Sequence, residues 1–177
     1  MTGPQVIVLM GVSGSGKTTL GVALSKALGW PFRDGDSFHP PANIAKMSGG
    51  VPLTDEDRRP WLEAIGRWID AQIEAGGFAI VSCSALKRAY REIVIGARAG
   101  VQLVYLKGDR QLIASRLLER KQHFMPPSLL ASQFATLEEP DRAEGAVTVP
   151  IALPPACVVR RILAELGLRP GQGEVGL

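Results

Sequence analysis

Short β-branched runs alternate along the chain with longer stripes of apolar residues at helical spacing. That alternation predicts an α/β fold on a parallel sheet. Val6–Met10 is the first strand run, and residues 79–81, 103–106 and 147–149 make three more. Each is apolar on both faces, as a strand covered by helices on two sides must be. Residues 31–33, just before Asp34, are placed as a fifth, shorter strand by context. Leu20, Leu24, Ala27 and Leu28 repeat at helical spacing and stop at Gly29, a residue suited to a helix end. Trp61, Leu62, Ile65, Trp68, Ile69 and Ile73 predict a second helix that begins after Pro60 and ends at Gly76 and Gly77. Four further amphipathic stripes follow: Leu86, Tyr90, Ile93, Val94 and Ala97; Leu112, Ile113 and Leu117; Leu130, Phe134 and Leu137; and Val158, Val159, Ile162, Leu163 and Leu166.

Two intervals break the alternation. Roughly 40 residues separate Asp36 from the strand at Ala79, more than one crossover needs, and an inserted helical substrate-binding segment over about residues 38–75 accounts for them. The polar stretch at about 119–127 holds Arg120, Lys121, His123 and a Pro-Pro pair, the composition of a mobile loop, and suggests a lid. Residues 169–177 carry three glycines and a proline without apolar periodicity and are expected to be a frayed tail.

The length of 177 residues suits one domain spanning 1–177. With 46% hydrophobic and 21% charged residues the chain can bury a sizeable core. Its longest apolar run is five residues, far below the roughly 20 of a membrane-spanning helix. The N-terminus lacks the pattern of a secretion signal, so a cytoplasmic location is expected. Cys83 and Cys157 form neither a disulfide framework nor a metal cluster and read as packing residues. The net charge of +3 is spread without a long run of like charges, which favours a small anionic ligand over nucleic acid.

The chemistry begins at Gly11-Val12-Ser13-Gly14-Ser15-Gly16-Lys17-Thr18, a match to the G-x-x-x-x-G-K-[ST] phosphate loop lying between a strand and a helix. Its glycines let backbone N–H groups turn toward phosphate oxygens, and the helix N-terminus adds its positive end. Lys17 would reach the β and γ phosphates of ATP, and Thr18 would offer its hydroxyl to Mg²⁺. A phosphate loop alone does not choose among GTPase, motor and small-molecule kinase. No Asn-Lys-x-Asp segment and no apolar strand ending in aspartate is present, because residues 79–81 run into Ser82-Cys83-Ser84.

Asp34-Gly35-Asp36 follows the short strand, so both carboxylates are expected at the carboxyl edge of the sheet with the phosphate loop. One would serve the Mg²⁺ shell and the other a substrate hydroxyl; a plain Asp-Gly turn is the alternative. Arg58, next to Arg59, either grips a carboxylate with two hydrogen bonds or belongs to a surface ion-pair cluster. Arg116 and Arg120 share a helix face leading into the suspected lid, where they cover the nucleotide or face solvent. His39 and His123 are too far apart in sequence to imply a metal pair, and each reads as a hydrogen-bonded surface residue.

Taken together the residues resemble the thermoresistant-type gluconokinases of the shikimate-kinase-like group of phosphate-loop kinases. The resemblance runs over the loop from Val8 to Lys17, Asp34-Gly35-Asp36, His39-Pro40 with Asn43, Lys46 and Met47, and Pro52-Leu53-Thr54-Asp55 leading to Asp57-Arg58 and Pro60-Trp61-Leu62. It continues through Cys83-Ser84-Ala85-Leu86-Lys87, Tyr90-Arg91, Tyr105-Leu106-Lys107-Gly108, Arg120-Lys121, His123-Phe124 and Gln133-Phe134 to Pro140. The chain departs from the pattern at Arg59, at Met125-Pro126-Pro127 and in its Gly-rich tail. The resemblance implies a five-stranded parallel sheet and ATP-dependent phosphorylation of the 6-hydroxyl of D-gluconate by a homodimer. It implies Gly11, Val12, Ser13, Gly14, Ser15, Gly16, Lys17, Thr18, Arg116 and Arg120 for ATP, and Thr18 and Asp34 for Mg²⁺. Asp34, Asp36, Arg58, Lys87 and Arg91 fall to the substrate, with Lys17, Asp36 and Arg120 as catalytic groups. Shikimate kinase and adenylyl-sulfate kinase are the nearest rivals. Ser37-Phe38-His39-Pro40 after the acidic pair and Cys83-Ser84 after the third strand argue against them. A regulator that binds ATP and a sugar acid without turnover is a rival of another class.

Overall fold

The computed structural model describes residues 3–119 and 127–171. Five strands, β1 (Val6–Met10), β2 (Phe32–Asp34), β3 (Ala79–Ser82), β4 (Val101–Lys107) and β5 (Val147–Pro150), form one sheet in the order β2-β3-β1-β4-β5. Every neighbouring pair is parallel. The helices are α1 (Lys17–Leu28), α2 (Pro41–Ser48), α3 (Asp55–Glu74), α4 (Arg88–Val94), α5 (Arg110–Glu119), α6 (Pro127–Thr136) and α7 (Pro155–Glu165), with short 3₁₀ turns at Gly35–Phe38 and Arg142–Glu144. Among the described residues no helix is long and apolar enough to cross a membrane.

All five residues of β1 are fully buried, and their alternation divides the core in two. Ile7 and Leu9 point to the layer holding Leu24 and Leu28 of α1 and Ile162 and Leu163 of α7. Val6, Val8 and Met10 point to the layer holding Trp61, Leu62, Ile65 and Ile69 of α3 and Tyr90 and Val94 of α4. The chain runs from β1 toward β2 and β3 on one side, then crosses to β4 and β5 on the other. That reversal at β1 opens a crevice at the carboxyl ends of the strands, where ligands of open α/β sheets bind.

The strands agree with the pattern of apolar runs; the helices differ in instructive places. The helix expected after Pro60 begins six residues earlier, at Asp55, with Pro60 inside it. The reason is a capping box: Thr54 accepts from the Asp57 N–H, and the Asp57 carboxylate accepts from the Thr54 N–H. Helix α2 falls within the expected inserted helical segment, but its Ile44 and Met47 are exposed and leave no buried stripe from which to read its bounds. Its Pro41 sits at the first helical position, where a missing N–H costs nothing. Of the expected tail, the Gly171 N–H donates to the Ala27 carbonyl at 2.9 Å, and residues 172–177 lie outside the described residues.

Arg91 of α4 is only 2% exposed. Its guanidinium forms a two-armed pair with Glu144 and donates to the carbonyls of Ala85, Leu86 and Glu138. It therefore ties α4 to the loop after β3 and to the segment leading into β5. Removing one partner of such a buried pair leaves the other charge and the carbonyls unpaired, at a cost of about 3–5 kcal/mol. Arg91→Met is expected to lower unfolding free energy by about that amount in urea titration; a loss below about 1 kcal/mol would contradict this role.

Candidate functional site

The phosphate loop leaves β1 and enters α1 through glycines in the left-handed region, with φ of 82° at Gly14 and 94° at Gly16. A side chain would strain both positions. The first turn of α1 has no acidic residue and no side-chain cap, so its N–H groups and positive dipole end suit an anion. Lys17 Nζ donates to the carbonyls of Gly11 and Val12 at 2.8 and 3.1 Å, which holds the ammonium over the loop. From α6, Gln133 clamps the loop: its Oε1 accepts from the Ser13 N–H at 2.7 Å and its Nε2 donates to Ser13 Oγ at 2.9 Å.

The acidic pair is fixed by contact with β3. Gly35 lies so close that a Cβ there would sit 1.9 Å from the Ser82 carbonyl oxygen. Its N–H donates to Ser82 Oγ at 3.2 Å, and its carbonyl accepts from Trp61 Nε1 at 2.8 Å. Asp34 then accepts from Thr18 Oγ1 at 3.0 Å, from the Asp36 N–H at 2.9 Å and from Ser82 Oγ at 3.3 Å. A hydroxyl and a carboxylate side by side are the hard oxygen donors that Mg²⁺ takes together with phosphate oxygens and water. Asp36, left exposed by this arrangement, faces the cavity.

A cavity of about 830 Å³ is lined by Ser13, Gly14, Gly16, Lys17 and Thr18 of the loop, by Asp34 and Asp36, and by Arg58. His39, Leu53, Trp61, Cys83, Ser84 and Gln133 complete much of its wall. A smaller cavity of about 300 Å³ meets the loop at Gly14 and Gly16 and is bounded by Arg116, Leu153, Pro155 and Val158. Arg116 donates there to the Ile151 carbonyl. Arg58 Nη1 donates to the Leu53 carbonyl at 2.7 Å and lies 3.5 Å from Tyr90 Oη. Tyr90 in turn donates to Asp55, on which Lys87 Nζ also sits at 2.9 Å.

The structure thus gathers Gly14, Gly16, Lys17, Thr18, Asp34, Asp36 and Arg58 around one cavity, and Arg116 beside its neighbour. Lys87 approaches Arg58 only through Asp55 and Tyr90. Arg91, expected at the substrate, is a correction: its donors are spent on Glu144 and three carbonyls, and it is buried away from the cavity. Arg120, with nearly all of the suspected lid at 119–127, lies outside the described residues. Burial pushes the Cys83 thiol up to about 12, so it stays protonated and packs, as expected of it. His39 is a second correction: instead of a surface residue it is a half-buried part of the cavity wall, stacked on Trp61. Gln133 was not anticipated either; its partner is 120 residues away in sequence.

A family model described as shikimate kinase matches residues 13–139. The gluconokinase of Gluconobacter oxydans is 49% identical over 146 residues, covering 82% of each chain. The thermoresistant gluconokinase of Escherichia coli is 43% identical over 145 residues, covering 82% of this chain and 83% of that one. A solved gluconokinase from Sinorhizobium meliloti superposes with a TM-score of 0.84 at 48% identity, over 94% of each chain.

Lys46 ties α2 to the first turn of α3: its Nζ donates to both oxygens of Asp57, at 2.7 and 2.8 Å. This bond, with that from the Thr54 N–H, lowers the Asp57 carboxyl from the usual 3.8 to about 2. A depressed carboxyl contributes stability above its unfolded value and loses it as pH falls through the folded one. The native protein should therefore lose stability between pH 3.8 and about 2 through this group. Lys46→Met should flatten that part of the pH–stability curve, read by thermal melting in steps of pH; parallel curves would contradict it.

Proposed function

Because the chain belongs to the gluconokinases, within the shikimate-kinase group of phosphate-loop kinases, we propose that it transfers the γ-phosphoryl group of ATP to the 6-hydroxyl of D-gluconate. The products are ADP and 6-phospho-D-gluconate. One observation carries the reading beyond the family: a single cavity is lined by the phosphate loop, by Asp36 and by Arg58. Gluconate has an anionic carboxylate at one end and a primary alcohol at the other, and those side chains match both.

In this reading Arg58 pairs with the carboxylate through parallel hydrogen bonds, an arrangement a guanidinium makes better than an ammonium. Holding that end turns a flexible chain into one whose terminal hydroxyl waits beside the nucleotide, and orientation of this kind lowers the barrier substantially. Asp36 accepts the proton of the 6-hydroxyl as the oxygen attacks phosphorus. Lys17 and the loop N–H groups neutralise the charge on the transferring phosphoryl, and Arg116 and Arg120 attend the nucleotide. Thr18 and Asp34 would hold Mg²⁺, which when bound supplies charge neutralisation at the phosphates. The smaller cavity beside Arg116 takes the nucleotide base, because it meets the loop at Gly14 and Gly16. Exclusion of water while the acceptor is bound keeps the phosphoryl group from hydrolysis. A homodimer, implied by the family resemblance, and the cytoplasmic setting expected above belong to the same proposal.

The test is ADP release across D-gluconate, shikimate, adenylyl sulfate and simple aldoses, with Lys17→Ala as the blank. Turnover is expected on gluconate. Asp36→Asn should lower kcat by about 10²–10⁴-fold with little change in the KM for ATP. Arg58→Met should raise the KM for gluconate about 10–100-fold. Turnover confined to shikimate or adenylyl sulfate, or binding of ATP and gluconate with no turnover, would overturn the reading.

A further inference from the structure

His39 follows the 3₁₀ turn that carries Asp36 and lies in the wall of the large cavity. Its ring is stacked on Trp61, with centroids 4.3 Å apart and planes inclined by 14°. One face is thereby covered. One edge is also occupied, because Nδ1 is 3.3 Å from Asn43 Nδ2.

That second contact decides where the imidazole proton sits. Asn43 is 3% exposed, and the same Nδ2 donates to the Asp57 carbonyl at 2.8 Å. A peptide carbonyl only accepts, so the atom facing it must be the amide nitrogen, and Asn43 cannot be turned over to offer its oxygen to the histidine. Facing an N–H donor, His39 Nδ1 must present its lone pair, which leaves the proton on Nε2. Burial, reinforced by Arg58 and opposed by Asp36, holds the ring below its ordinary pKa of 6.5 and so uncharged near neutrality. The same pair of influences places His39 within electrostatic reach of both Asp36 and Arg58.

We propose that His39 is a specificity-determining residue of the acceptor site, locked by Asn43 and the Asp57 carbonyl as the Nε2–H tautomer and donating that hydrogen bond to a secondary hydroxyl of a polyhydroxy acid held between Arg58 and Asp36. The proposal rests on the gluconokinase reading above and adds to it a contact with the middle of the substrate. An uncharged donor suits this place, because an imidazolium would compete with Arg58 for the carboxylate. A site built to hydrogen-bond a hydroxyl also discriminates strongly against an analogue that lacks it, since a buried polar group is then left unpaired.

Two substitutions separate the hydrogen bond from the packing. His39→Phe keeps a ring against Trp61 and removes the donor; His39→Gln restores an amide N–H near the place of Nε2. Steady-state kinetics are measured with D-gluconate, with its 2-, 3-, 4- and 5-deoxy analogues, and with ATP varied separately. His39→Phe is expected to lose about 10–100-fold in kcat/KM for gluconate, mainly through KM, with the KM for ATP unchanged. One deoxy analogue should show the same loss with the native enzyme and no further loss with His39→Phe, and His39→Gln should recover much of the activity on gluconate. Unchanged kinetics in His39→Phe, or an equal added loss on every deoxy analogue, overturns the assignment. Long-range ¹H–¹⁵N spectra of the native protein give a readout independent of any variant: a protonated Nε2 is expected, and an Nδ1–H tautomer overturns the lock. Absence of gluconate turnover by the native protein would overturn the underlying reading and the substrate contact with it, whereas turnover without these His39 effects removes only the present inference.

Discussion

Gly35 pressed against β3 is the constraint on which the rest of the site depends. With room for no Cβ between it and the Ser82 carbonyl, the Asp-Gly-Asp turn has one position relative to the sheet. From that position Asp34 meets Thr18 at the start of α1, and the Gly35 carbonyl meets Trp61 of α3. Trp61 in turn carries His39. One close backbone approach thus links the phosphate loop, the acidic pair and the inserted helices beside the large cavity. The parallel sheet supplies the platform, since β1 and β2 both end at the same edge.

The distribution of paired and cavity-facing charge follows the same plan. Most of the basic side chains with described partners are committed to structure. Arg91 is paired with Glu144, Arg98 with Asp70, Lys46 with Asp57 and Lys107 with Glu139. Lys17, held by the Gly11 and Val12 carbonyls, and Arg58, held by the Leu53 carbonyl and 3.9 Å from Asp55, also line the large cavity beside Asp34 and Asp36. A small positive net charge therefore says little by itself. What matters for two anionic substrates, a nucleoside triphosphate and a sugar acid, is which cations the fold aims inward.

What could be read from the sequence was mainly local. Val6–Met10, the glycine loop and the helix after it are contiguous, so their geometry follows from spacing alone, and the acidic pair lies at a strand end where topology places it. The start of α3 was misplaced because Pro60 reads as a boundary, while the Thr54–Asp57 box that sets the true start carries no apolar signal. The family resemblance assigns both Arg58 and Arg91 to the substrate. Only the fold brings Glu144, 53 residues on, against Arg91 and leaves Arg58 at the cavity. His39 was read as a lone surface histidine for the same reason: its setting is made by Asn43 and Trp61 from two different helices.

The central claim is that the acid's carboxylate is held away from the phosphate loop so that its far alcohol meets the γ-phosphoryl group. The most direct measurement is the position of phosphate in the product formed from uniformly ¹³C-labelled D-gluconate, ATP and Mg²⁺, read from ³¹P–¹³C coupling. The account predicts phosphate on carbon 6 alone. Phosphate on an inner carbon or on the carboxyl, or release of inorganic phosphate without a phosphorylated acid, would contradict it.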